Sequence, residues 1–204
     1  MEQVNNERLV ESFINDRLTP YLVCPIAWIL TWWMQSFMTL TVVNTGINLV
    51  FFPAGVRALS VFVFGLRGAI GVFIGTSVTS MHYFSNENSI SIVSMMLISL
   101  VSSFTSYFVM KLVCKYRGIS DALCELRFSD ILLIVCTQGV ISPLLHLLIY
   151  DFAGLNGHIE EPLSTEIQEF FYMSAGDIVG SMIFMLTFTW IATHYIDTKS
   201  IDRE

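Results

Sequence analysis

Charge is what this sequence has least of. Only 13% of its 204 residues are Asp, Glu, Lys or Arg, whereas soluble domains carry about a quarter. Hydrophobic residues make up 54%, and mean hydropathy is +0.65. The balance is that of an integral membrane protein, with lipid as an expected partner. The net charge of −7 argues against nucleic-acid binding. Cysteine is scarce: Cys24, Cys114, Cys124 and Cys136 have no histidine or second cysteine at metal-ligand spacing. All four read as free thiols, and no metal site is expected. A nucleophile elbow, a phosphate-binding loop and paired catalytic carboxylates are all missing, so neither an enzyme nor a cofactor is expected. No cleavage pattern marks a signal peptide. Residues 1–19 instead place Leu9, Val10, Phe13 and Ile14 at helical spacing among charges, up to Pro20. They read as a cytoplasmic amphipathic segment on the membrane surface, or as a polar tail.

What is present is a series of apolar runs. The chain is organised around residues 48–75, where two runs meet at a corner, Gly65-Leu66-Arg67-Gly68. Neither run has the polar stripe that a soluble helical hairpin would show. Six spans are expected, at 21–43, 48–64, 68–83, 90–112, 131–150 and 170–193. Each is near the roughly 20 residues that cross a bilayer core. The fold class expected is all-α, a polytopic bundle filling 20–195, with a cytoplasmic tail at 196–204. The short loops set its orientation. Lys111, Lys115, Arg117, Arg127 and Arg67 fall on one side; Glu160, Glu161, Glu166 and Glu169 fall on the other, in a loop without lysine or arginine. The positive-inside rule then puts both termini in the cytoplasm.

A few polar residues interrupt the runs. An arginine inside a span costs on the order of 2.5–3.5 kcal/mol, so Arg57 needs a partner. It is a counter-charge for an anionic ligand, a counter-charge for an acid on another helix, or a side chain snorkelling to headgroups. Asp177 lies among small residues two turns into the last span. The orientation puts it and Arg57 in the outer half of the membrane, where they pair, share a site, or each find unrelated polar partners. Gln138, Ser142 and His146 are four apart and share one helix face. That face either lines a cavity or binds a neighbouring helix. Gly71 and Gly75 mark close helix packing.

Several pieces occur in a recognisable order. Phe52-Pro53-Ala54-Gly55 opens an apolar run, followed by the Gly65 to Gly68 corner and Gly71-Val72-Phe73-Ile74-Gly75. Leu126 to Asp130 opens the fifth span, Ser142-Pro143 lies within it, and Ala175-Gly176-Asp177-Ile178-Val179-Gly180 lies in the last. This order resembles the bacterial membrane-associated sensor domains of the MASE type, with matching positions at Pro53, Gly55, Gly176, Asp177 and Gly180. Phe52 stands where that family has tryptophan. The resemblance implies a sensory module of the bacterial inner membrane. With no output domain expected after the spans, it would act through a separate protein. Two other readings stand beside it. One is an accessory subunit of a larger membrane complex. The other is a transport component resembling the substrate-binding subunits of energy-coupling-factor transporters. The first span lacks the small-residue motif those subunits often carry.

Overall fold

The structure, a computed structural model, describes residues 16–38, 42–44, 47–84, 91–120, 127–152 and 163–201. The proposed N-terminal amphipathic segment lies almost wholly outside them, as do Cys124, Glu160, Glu161 and the loop 85–90. The described residues form six helices and one small hairpin. The elements are α1 (Thr19–Ser36), β1 (Val42–Asn44), β2 (Ile47–Asn48), α2 (Phe52–Phe64), α3 (Leu66–Phe84), α4 (Ile92–Arg117), α5 (Phe128–Phe152) and α6 (Leu163–Ile201).

Every helix departs from the run that announces it. The first run, 21–43, divides into α1 and the strand β1, which pairs antiparallel with β2. Hydropathy does not separate helix from strand, and Val42 and Val43 are β-branched, which favours extended chain. Asn48 likewise belongs to a strand, and α2 starts only at Phe52, with Pro53 in its first turn where no backbone N–H is needed. α4 begins at the Ser91 cap, whose hydroxyl accepts from the Ser94 N–H at 3.1 Å. It continues past the expected end at 112 through Lys115 and Arg117. α6 is longest, at 39 residues, and takes in Glu166 and Glu169.

The corner between α2 and α3 is a single residue. Gly65 has φ 58° and ψ −131°, a conformation that side chains disfavour. Its N–H closes α2 on the Val61 carbonyl at 2.8 Å. Gly68 is already inside α3, against the Ser60 carbonyl, so the two helices leave the corner nearly touching.

The helices neighbour one another in a ring, in the order α1, α3, α4, α5, α6, α2 and back to α1. Short α2 also reaches α3 and α4, which puts it at the centre. Gly71 and Gly75 of α3 lie against Pro20, Cys24 and Pro25 of α1, and Gly55 of α2 lies against Phe184 of α6. Two glycines on α6 have a larger consequence. The chain 48–51 crosses the helix there, with the Asn48 carbonyl on Gly176 and the Phe51 backbone on Gly180. The Phe51 N–H donates to the Gly176 carbonyl at 3.0 Å. Any Cβ at either glycine would occupy the space of that backbone.

Polarity is inverted relative to a water-soluble domain. Arg57, Asp130, Gln138, Asp177 and a series of serines and threonines are buried, while Leu22, Trp33, Phe108, Leu148, Phe171 and Trp190 are exposed. Such a surface suits lipid better than water. Three helices, Ile92–Arg117, Phe128–Tyr150 and Glu166–Ile191, are long and apolar enough to cross a membrane. Phe52–Phe64 is apolar but shorter.

If the backbone crossing on α6 positions α2, Gly180→Val should be worse than an ordinary overpacked core change, which costs about 1–3 kcal/mol. The variant should elute as aggregate from size-exclusion chromatography in mild detergent. Val179→Ile, on the exposed side of the same turn, should elute with the parent and melt within a few degrees of it.

Candidate functional site

Arg57 lies in the second turn of α2, just after Pro53 and Gly55, and is 1% exposed. A guanidinium carries five N–H groups and accepts nothing. Each N–H here has an acceptor. Nη2 donates to Asp177 Oδ2 of α6 at 2.7 Å. Nη1 donates to Ser142 Oγ of α5 at 2.9 Å and to the Ser102 carbonyl of α4 at 3.1 Å. The orientation of the Gln138 amide follows from its neighbours. Its oxygen accepts from Arg57 Nε and Nη2, both at 3.1 Å, and its nitrogen donates to Ser106 Oγ at 2.9 Å. One side chain therefore ties α2 to α4, α5 and α6.

Of the partners considered from sequence, the structure gives Arg57 the acid on another helix. The side chain turns inward and is enclosed by the bundle rather than reaching out along its surface. Gln138, Ser142 and His146 do share a face of α5, and the face divides its work. Gln138 and Ser142 hold the arginine. His146 sits a turn beyond, its Nδ1 donating to the Ser142 carbonyl at 2.8 Å.

His146 and Asp177 also line a cavity of about 490 Å³. Trp28, Trp32, Phe51, Tyr150, Ile98 and Met173 give it aromatic and apolar wall. Asn48, Ser102, Thr76, Thr79 and Ser80 give it polar wall. The floor is braced from below. Trp28 Nε1 donates to Thr79 Oγ1 at 3.1 Å, and Thr76 and Ser103 share a hydroxyl contact at 3.0 Å. Gln35 Oε1, at the α1 end, accepts the Phe52 N–H at 3.2 Å, covering a first-turn donor of α2.

The serines of α4 escape a sequence search for chemistry. Ser99, Ser102, Ser103 and Ser106 read one by one as packing residues, yet their spacing of three and four puts them on one helical face. Ser102 and Ser106 serve the Arg57 network from it. The cavity itself has no signature, because its lining comes from every helix. A second ion pair lies at the other end of α4. Arg117 Nε donates to Asp130 Oδ1 at 2.9 Å, while Asp130 Oδ2 accepts the Arg127 N–H at 3.0 Å and caps the start of α5.

Among the described residues no three His, Cys, Asp or Glu side chains gather as metal ligands. Among the described residues, Cys24, Cys114 and Cys136 form no disulfide. No family model, curated protein or solved structure matches the chain.

Removing one member of a buried pair typically costs about 3–5 kcal/mol, because the other charge is stranded. Asp177→Leu and Arg57→Met should each lower the melting temperature in detergent sharply. Their combination should recover a good part of the loss. Strict additivity of the two losses would show that the side chains do not interact.

Proposed function

We propose that the chain is a non-catalytic, sensor-like module of the bacterial inner membrane that binds a small molecule and acts through a partner protein. The observation that carries this reading is the cavity with the Arg57–Asp177 pair in its wall. Its volume of about 490 Å³ falls within the range of small-molecule sites. Its lining combines aromatic surface with a few convergent polar groups. In this reading six helices cross the membrane, with both termini and the basic ends in the cytoplasm. Arg57 and the cavity then lie toward the outer side.

The network gives binding a route to the cytoplasmic ends. Asp177 faces the cavity and holds Arg57 at the same time. A ligand that draws on its carboxylate weakens the tie from α6 to α2, and Arg57 falls back on α4 and α5. A shift of α6 against α2 is the helix-packing change that a partner would read. Occupancy can move such an equilibrium only by as much as the ligand's affinity differs between the two arrangements. The order of the Pro-Ala-Gly and Gly-Asp-x-x-Gly segments supports the sensor reading, since these are the segments that build the network. The cavity equally favours a second reading, the substrate-binding component of a transporter.

Purification from native membranes in mild detergent, followed by mass spectrometry of proteins and small molecules, separates the two. A sensor module should retain a small molecule and a signalling partner. His146→Ala, which alters the wall but not the ion pair, should reduce the retained molecule several-fold. Recovery with an ATPase module would replace this reading with transport. A stoichiometric complex without any small molecule would replace it with an accessory subunit.

A further inference from the structure

The charged donor in the cavity wall is spent on the protein, and the carboxylate beside it is not. All five N–H groups of Arg57 are engaged. Trp28 Nε1–H goes to Thr79, and the Thr79 hydroxyl in turn reaches the Gly75 and Thr76 carbonyls. Asp177 is different. Its Oδ2 accepts from Arg57, and among the described residues no group donates to its Oδ1. The side chain keeps 11% exposure and lines the cavity. His146 adds a second acceptor. A carbonyl only accepts, so the proton of a neutral His146 ring sits on Nδ1, facing Ser142, and Nε2 is left bare. In the same wall the Asn48 side-chain oxygen is buried with no donor.

From this asymmetry we infer that the cavity takes a small organic ammonium, whose N–H groups meet Asp177 Oδ1 and His146 Nε2 between the aromatic side chains. The inference rests on the reading of the cavity as a ligand site and gives that ligand a charge. Trp28, Trp32, Phe51 and Tyr150 supply the aromatic surface against which a desolvated cation is held. The Arg57 charge does not forbid this. It is offset by the inner carboxylate oxygen, and Oδ1 remains for a second charge-assisted hydrogen bond. An anion fares worse. To reach Arg57 it would have to displace Asp177 or Gln138, leaving a buried carboxylate or amide unpaired.

Three molecules of one shape test the charge. Benzylammonium, benzyl alcohol and benzoate differ only in the group presented to the polar wall. Binding to the purified protein is read by calorimetry and by quenching of tryptophan fluorescence. Benzylammonium should bind, and the alcohol and benzoate should bind at least about tenfold more weakly, the difference expected when a charge-assisted hydrogen bond is lost. His146→Phe, which keeps an aromatic ring and leaves the Arg57 network intact, should weaken benzylammonium several-fold while sparing the melting temperature. Asp177→Asn should abolish the preference for the cation, and if that variant does not fold, the comparison of the three probes on the parent protein decides. Preference for benzoate, or no binding of benzylammonium at millimolar concentration, overturns the inference. Either result leaves the ligand-site reading standing if native membranes yield the protein with a bound molecule of another class.

Discussion

A guanidinium placed among apolar helices must have all five of its N–H groups accepted, and much of this structure is the answer to that requirement. Arg57 takes a carboxylate oxygen from α6, an amide oxygen and a hydroxyl from α5, and a backbone carbonyl from α4. Lipid surrounding a bundle gives its helices little hydrophobic reason to associate. A shared polar network supplies direction that apolar packing does not. It fixes which helices are neighbours of α2 and the rotation of each about its axis. Such a network stabilises only as a whole, since each partner removed strands another.

The glycines make the network reachable. Asp177 meets Arg57 because the chain entering α2 lies directly on α6, and it lies there because Gly176 and Gly180 have no side chains. The hydrogen bond from Phe51 to Gly176 then sets how far along α6 the helix α2 begins. Pro53 starts α2 at that point, and Arg57 follows one turn later. Motif residues far apart in sequence thus form one joint between two helices. The cavity is the space left above that joint, where short α2 does not fill the ring of its neighbours.

The sequence disclosed these parts unequally. Arg57 and Asp177 were legible because a charge within an apolar run has few explanations. The face shared by Gln138, Ser142 and His146 was legible from its spacing. The ends of helices were not. Val42 and Val43 are as hydrophobic as the helix before them, and only their β-branching hints at a strand. Residues 113–117 read as loop because charges end a span, although α4 itself runs on through them. The α4 serines carry no such signal, since a small hydroxyl within an apolar helix is usually satisfied by its own backbone, as Thr105 is by Val101 at 2.6 Å. That the Ser102 carbonyl and Ser106 hydroxyl join an arginine network follows only from where α4 lies. The unused face of Asp177 is a tertiary fact throughout, because it depends on Arg57 having all its other partners.

The central claim is that Arg57 and Asp177 are in direct contact within the folded protein. The most direct test is a rotational-echo distance measurement by solid-state NMR in lipid bilayers, between labelled Arg57 guanidinium nitrogen and labelled Asp177 carboxylate carbon. The account predicts strong dephasing, as expected for a nitrogen 2.7 Å from the carboxylate oxygen, in samples without added ligand. An Arg57 signal undisturbed by the Asp177 label, and exchanging freely with water, would contradict it.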